Sequence, residues 1–470
     1  MKNNLFIATG LLLMTNSLLP IISFSQVIAF DGGGHNTLSV CSDGTVQSCG
    51  GSVSASGAPT HVTGLTNVTA VSSGNGHHLA RKSDGTVWGW GFNRYGQLGN
   101  GTIKDQTTPV KMAITGIVTS ISAGYGHTLI IKNDGTVWGT GSNGCGQLGN
   151  GTIQDRTKPV QVKKITGVTA VSAGNVHSLA LKSDGTAWGW GTNTYGMLGD
   201  GTTTNRFTPV PVVGLAGITA IAAGMFHSLA LKNDGTVWAW GKNRVGELGD
   251  GTTTTRIIPV MVPGLTGIIA ISVGSEQSFA LKNDGTLYAW GNNSYGELGD
   301  GTTINRSTPV PVIGLSGISK VSMGLYHSLV LKNDGTLWAW GGNSDGQLGD
   351  GTHTNRSIPG QMNGLCSLAS PAAKMAVNEP EKDFLLEVYP NPVTDNNLNL
   401  IFNGQDVSGN AVVEIYNSLG EKMYSSTTYL KSQIETSVAI GNNFSNGIYF
   451  ATVQINGKRI DRKIVISRQY

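Results

Sequence analysis

Charge is scarce in this chain: 13% of its 470 residues are Asp, Glu, Lys or Arg, and the formal net charge is +3. No long-range field of either sign therefore favours nucleic acid, and no basic run with interleaved aromatics occurs. Signatures of catalysis are missing too. There is no Gly-x-Ser-x-Gly elbow and no His-Glu-x-x-His pair, which removes two common hydrolase arrangements. Past residue 25 no run of about 18 apolar residues is long enough to cross a bilayer as a helix. Cysteine is limited to Cys41, Cys49, Cys145 and Cys366.

Glycine, in contrast, is abundant at 68 residues, and it falls at fixed places. The stretch Asn233-Asp234-Gly235-Thr236-Val237-Trp238-Ala239-Trp240-Gly241 has close copies around Asp84, Asp134, Asp184, Asp284 and Asp334, a spacing of 50. A weaker copy, Ser42-Asp43-Gly44-Thr45-Val46, lies 41 residues before the first of them. Asp-Gly between apolar runs predicts a hairpin, because glycine takes the positive φ of the turn without a Cβ clash. In the Trp-Gly-Trp that follows, the period of two puts Trp88 and Trp90 on one face and Gly89 on the other, where a neighbouring sheet can approach. All ten tryptophans belong to this strand, which marks them as core.

Residues 168 to 217 serve as the reference repeat. Four strands are predicted there, at 168–173, 177–182, 186–190 and 208–213, with no helical period between them. Pro209 and Pro211 cannot donate to a ladder, so the fourth strand belongs at a sheet edge. Its prolines recur at Pro59, Pro109, Pro159, Pro259, Pro309 and Pro359, so the first repeat has lost its long loop between Gly44 and Pro59. Four strands repeated seven times predict an all-β fold, a seven-bladed β-propeller over residues 26–366, with an open solenoid as the alternative. About four residues join each proline strand to the next repeat, a hairpin length. Each blade should then combine a proline strand with the next repeat's three strands. Residues 27–30 and 358–361 would complete one blade together and remove two open edges. Cys366 would lie near the first repeat, with Cys41 or Cys49 as a candidate disulfide partner, although free thiols remain open.

The spaced motifs Gly224-x-x-His227-Ser228-Leu229-Ala230-Leu231, Asp234-Gly235-Thr236-Val237-Trp238-Ala239-Trp240-Gly241-x-Asn243 and Gly246-x-Leu248-Gly249-Asp250-Gly251 resemble the regulator of chromosome condensation repeat family. The resemblance covers about residues 27 to 365 and implies a seven-bladed propeller. The family's name-giving member exchanges guanine nucleotides on a small nuclear GTPase, a partner that a chain with the export signals described below does not meet. Secreted bacterial propellers of the family that bind proteins, a β-lactamase inhibitor among them, are closer in class.

Histidine recurs at His35, His77, His127, His177, His227 and His327, with Gln277 in the gap. A metal would need these side chains to converge within about 2 Å of one point, so a structural hydrogen-bonding role is expected, with no metal and no cofactor. Gly89-Trp90-Gly91-x-x-x-x-Gly96 imitates a phosphate loop without the helix that loop requires. The Asp-Gly-Thr copies lack the spacing of a calcium loop. What breaks the repeat is a set of loop residues. The two positions before each histidine read Tyr125-Gly126, Asn175-Val176, Met225-Phe226, Ser275-Glu276 and Leu325-Tyr326, and the long-loop tips read Arg94-Tyr95, Gly144-Cys145, Thr194-Tyr195, Arg244-Val245, Ser294-Tyr295 and Ser344-Asp345. Aromatic and arginine residues at varied loop positions suit binding anchors; drift of exposed loops is the plainer explanation.

The amino terminus, basic at Lys2, then apolar from Leu5 to Phe24 and closing on Ser23-Phe24-Ser25, predicts a signal peptide over 1–25. An uncleaved anchor is the alternative. After a linker at 367–383 the pattern changes. Strands are predicted at 398–402, 412–417, 437–440, 447–455 and 462–466, a small β-sandwich over 384–470. Pro390-Asn391-Pro392, Gly447-Ile448-Tyr449 and Gly457-Lys458 leading to Lys463 resemble the sorting domain of the type IX secretion system of Bacteroidetes. An adhesive immunoglobulin-like module is the alternative. Together these readings describe a secreted or cell-surface propeller, not an enzyme, that binds a protein or glycan ligand and meets the type IX machinery through residues 384–470. The alternatives are an enzyme at the channel mouth, with Glu276 and Gln277 its one asymmetric polar candidate, or an exchange factor by family analogy.

Overall fold

The computed structural model describes residues 26–51, 57–366, 385–389, 397–403, 408–417, 422–431, 436–439, 444, 447–455 and 458–466. The chain divides into two compact units, residues 1–369 and 370–470. The expected signal peptide and linker lie outside the described residues, as do Pro390, Asn391, Pro392 and Gly457.

The first unit is built from seven four-stranded antiparallel sheets, each drawn from one continuous stretch of chain. The fourth of these blades runs Val168–Ala173, His177–Lys182, Ala187–Gly191 and Arg206–Pro211. Its hairpin is set locally. Asp184 Oδ1 accepts the Thr186 N–H at 3.0 Å and the Thr186 hydroxyl at 2.6 Å, while Gly185 turns the chain at φ 75°, an Asx turn that needs no tertiary help. The first strand of every blade lines a central channel, and the proline strand forms the outer edge.

Blades stack face to face. Trp190 and Ala180 pack back onto Leu129, Ile131 and Val137 of blade 3, whereas Leu179 and Leu181 meet Trp240 and Ala230 of blade 5. Trp190, Trp240, Trp290 and Trp340 are fully buried, each worth about 3 kcal/mol or more of transfer free energy. The indole N–H is satisfied in the same way each time: Trp240 Nε1 donates to the Met197 carbonyl of the preceding blade at 2.7 Å. Across Gly189 the near neighbour is Leu198 of the blade's own long loop, 3.2 Å from where a Cβ would stand. The expected close approach of a neighbouring sheet at this glycine is therefore corrected, and Ala239, Ala289 and Ala339 fill the same place later in the chain.

Closure also differs from the expectation. Residues 27–30 belong to blade 1 with Asn36–Cys41, Val46–Gly50 and Thr60–His61, while Arg356–Gln361 stays with Ile318–Met323, His327–Lys332 and Leu337–Gly341 in blade 7. No strand is exchanged. The short connection crosses between blades, and the long stretch stays within one. The reason lies in Asn193, whose buried side chain holds the long loop shut: Nδ2 donates to Asp200 and to the Thr202 carbonyl, and Oδ1 accepts the Leu198 N–H at 3.0 Å. A loop packed on its own side chains returns to its starting sheet whatever its length. The ring is closed by packing of Val27, Cys41 and Cys49 on Leu329, Leu331 and Leu348, and by a Cys41–Cys366 disulfide. Cys49 and Cys145 are free thiols. Cys49 occupies the tryptophan place of blade 1, and its thiol lies 3.5 Å from the Gln347 carbonyl as an indole N–H would; burial pushes that thiol up to about 12.

Among the described residues the second unit holds two sheets. One contains Leu385–Tyr389, Asn397–Asn403 and Thr436–Ala439; the other contains Lys422–Lys431, Ser408–Asn417, Gly447–Ile455 and Lys458–Ile466. Lys422–Lys431 was not expected. It is an edge strand with Met423 and Tyr429 exposed, and its polar sequence gives no buried alternation to read. Tyr449 is buried against Phe444, with ring centroids 5.1 Å apart, and Lys463 pairs across the sheet with Phe450.

Candidate functional site

The turn after each channel strand begins with glycine because nothing larger fits. A Cβ on Gly174 would stand 2.5 Å from the Gly224 carbonyl oxygen of the next blade. That approach lets the following residue donate across the seam, as in Tyr125 N–H to Gly174 O at 3.1 Å and Leu325 N–H to Gly33 O at 3.1 Å. The first varied residue of each turn is thereby held over the axis. Tyr125, Asn175, Met225 and Leu325 line the mouth of a channel cavity of about 240 Å³.

The second varied residue meets the long-loop tip of the preceding blade. Tyr195 lies edge-on to Phe226 at 5.6 Å, Tyr295 edge-on to Tyr326 at 5.8 Å, and Asp345 hydrogen-bonds His35 at 3.0 Å. At the remaining polar seam Lys242 pairs with Glu276, lies 3.7 Å from Glu247 and sits over the Phe226 ring. The two varied sets thus form one face around the channel mouth. Arg94, Tyr95, Tyr125, Arg244 and Tyr295 are exposed; Tyr195, Met225, Phe226, Glu276, Leu325 and Tyr326 are half-buried. As anchors at varied loop positions, Phe226 and Tyr326 are expected to stand exposed; instead both are half-buried. The tyrosine of the preceding loop leans on each of them.

Beneath this face runs the histidine belt. His177 Nε2 lies 3.0 Å from the Ser228 hydroxyl of the next blade, and that hydroxyl donates to the Met197 carbonyl. With its proton committed there, Ser228 accepts from the imidazole, which fixes the Nε2–H tautomer. His77, His127, His227 and His327 repeat the contact with Thr128, Ser178, Ser278 and Thr37. Burial pushes His177 down to about 4 and His227 to about 3, because a second proton would have to be carried away from water. These rings are inter-blade struts. Among the described residues no group of three His, Cys, Asp or Glu could hold a metal. His35 is not a member of the belt. The strand begins one residue later, so Asn36 takes the histidine place and bonds His78, which stands at the hydroxyl place of blade 2, at 3.3 Å.

Three acids were not singled out from the sequence. Glu247 and Glu297 are buried where other blades carry Gln97, Gln147, Met197 or Gln347, each side chain accepting the N–H two residues earlier. Burial raises Glu247 and pushes Glu297 up to about 7. Asp31 stands in the channel wall, raised by burial and bonded by Ser322 at 2.6 Å, by the Ser73 N–H at 2.9 Å and by Ser72 at 3.2 Å. Sliding the first repeat by 41 residues onto the second would have flagged both Asp31, opposite Ser72, and Asn36, opposite His77.

Comparison with known proteins gives consistent matches. Residues 84–131, 134–181, 184–231, 234–281, 284–331 and 334–377 each match the regulator of chromosome condensation (RCC1) repeat, and residues 387–467 match the secretion system C-terminal sorting domain. Human WBSCR16 superposes with a TM-score of 0.60 at 24% identity, covering 65% of this chain and 84% of that one. Prp20p from Saccharomyces cerevisiae gives 0.57 at 23% identity, covering 64% and 77%; these likenesses concern the fold. The ultraviolet-B receptor UVR8 of Arabidopsis thaliana is 42% identical over 45 residues, a tenth of each chain. Among the described residues no helix is long and apolar enough to cross a membrane.

Proposed function

The chain belongs to the regulator of chromosome condensation repeat family, and on that premise we propose that it is a non-enzymatic binding scaffold. Its ligand is a protein or glycan held by the loop face, and its sorting domain, which points to export and cell-surface attachment, delivers it outside the cell. One observation carries the reading. Two sets of positions that vary from repeat to repeat, far apart in sequence, meet on one face around the channel mouth. At the opposite strand ends, by contrast, all seven blades repeat an Asp-Gly-Thr turn. On the loop face Tyr95, Tyr125 and Tyr295 are exposed and offer large rigid contact area.

The test is capture of surface proteins and glycans by the mature chain, repeated with Tyr125→Ala, Tyr295→Ala and the pair Phe226→Ala and Tyr326→Ala. Ligand retention should fall at least tenfold while the circular dichroism spectrum stays unchanged. Undiminished capture by all the variants would remove the loop face as the site. For delivery, removal of residues 384–470 should leave a folded propeller that crosses the cytoplasmic membrane and stops short of the surface. Normal surface display of the shortened chain would refute the sorting role.

A further inference from the structure

We propose that the channel mouth is a binding site for an organic cation, an ammonium or guanidinium group, with Asp31 as its counter-ion. The argument begins with register. Asp31 pairs with Leu38 as Ser72 does with Leu79 and Ser122 with Leu129, so one place recurs in all seven channel strands. The others carry Ser72, Ser122, Ser172, Ser272 and Ser322, with Ala222 the one apolar member. All of them line the cavity, and among the described residues Asp31 is the one charged residue in its wall.

Stitching the blades does not require this carboxylate. Ser72 Oγ accepts the Ala123 N–H of the next blade at 3.0 Å, and Ser122 and Ser172 do the same for Ala173 and Ala223. Asp31 performs that task for the Ser73 N–H, which a serine would also do. What it adds is a charge, and every donor that reaches it is neutral. Lys320, two residues from Ser322, is turned to the Ile28 carbonyl at 2.9 Å. A half-buried carboxylate without a cation is costly, and a ligand that brings one recovers that cost.

The cavity suits such a ligand. An apolar cavity of about 150 Å³ accepts benzene, and this one, about 240 Å³, has room for a head group and part of its alkyl stem. Met225 and Leu325 can cover the stem, and Tyr125 lines the same cavity, an aromatic ring of the kind that attracts cations. One carboxylate among hydroxyls is a poor set for a divalent metal, which collects several oxygen anions. The inference rests on the loop-face reading and deepens it: the natural occupant is a lysine or arginine side chain presented by a protein partner that lies on that face.

Calorimetric titration of the oxidised mature chain tests this with acetyl-lysine methylamide and acetyl-arginine methylamide. Acetyl-norleucine methylamide is the neutral control, with spermidine and calcium chloride as separate arms. Both cationic probes should bind and the neutral one should not. Asp31→Ser, which restores the residue of the other blades, and Asp31→Asn should each weaken binding at least tenfold while leaving the melting temperature within a few degrees. Equal binding of the neutral probe, no binding of either cationic probe, or undiminished binding in both variants would overturn the proposal. So would calcium displacing the probes at equal concentration, and so would large destabilisation by both variants, which would make Asp31 a seam residue instead. Spermidine binding with no measurable affinity for the two amino-acid probes would overturn the protein side-chain source. The probes report on the channel alone, so their failure with ligand capture intact counts against this inference and not against the loop face.

Discussion

Breaking the Cys41–Cys366 bridge should destabilise the propeller strongly without abolishing its fold. The bridge spans a sequence separation of 325. In the loop-entropy account, closure of that length restricts the unfolded chain by about 6 kcal/mol at 25 °C, and measured effects are commonly about 2–4 and reach about 5 kcal/mol. An expected loss of about 3–5 kcal/mol follows for Cys366→Ala. The seam would survive in the native state, because Thr37 still bonds His327 at 2.9 Å and the Gln347 carbonyl at 2.8 Å, and Val27 still packs on Leu329 and Leu331. Guanidinium denaturation followed by tryptophan fluorescence reads the change directly, since all ten tryptophans lie in the repeats. Cys41→Ala and the double variant should match the single one, because each removes the same link. Native-state hydrogen exchange should show blades 1 and 7 losing protection before blades 3 to 5. An unchanged denaturation midpoint, or loss that starts in the middle blades, would refute the clasp argument.

Acid should weaken the propeller well above the usual carboxylate range. His77, His78, His127, His177, His227 and His327 are pushed down to about 3 or 4, so their stabilisation is complete above pH ~6.5 and is lost as pH falls from there toward those values. Asp31, Glu247 and Glu297 are raised and act in the opposite sense, leaving a net uptake of a few protons on unfolding and a slope of a few kcal/mol per pH unit. Urea midpoints at pH 7.5, 6 and 5 check this, and equal midpoints would contradict it. His227→Gln should lose about 1 kcal/mol and His227→Ala about 2–4, since Gln277 already serves at this place in blade 6 by donating to Leu325; the reverse order in urea denaturation would refute the strut role. Trp240→Ala should lose about 3–5 kcal/mol, and Trp240→Thr somewhat less, because Thr140 fills the same place in blade 3 and its hydroxyl finds the Gly96 and Arg156 carbonyls.

Much of the architecture was written locally and could be read locally. An Asp-Gly turn carries its own hydrogen bonds, as Asp184 with Thr186 shows, and a period of two assigns each tryptophan to one face before any neighbour is known. Repetition then supplied the number of blades, and confinement of tryptophan to one strand marked the core. The varied loop residues could be named from the breaks in the repeat. What lay beyond the sequence was how separate stretches meet. Loop length suggested that the proline strand pairs forward, but the Asn193 side chain turns the longer segment into a closed loop, and only packing reveals that its ends belong to one sheet. A shift of one residue moved the histidine role from His35 to Asn36, because strand pairing, not residue type, sets register. Phe226 and Tyr326 became half-buried for a similar reason: their partners come from another blade, some 30 residues away in the chain. Asp31 looks ordinary in sequence, and acquires meaning only when seven strands place it in a ring with the serines and alanine of the other blades around one channel. Backbone turns and side-chain alternation are decided within a few residues, whereas burial and the company a charge keeps are properties of the closed ring.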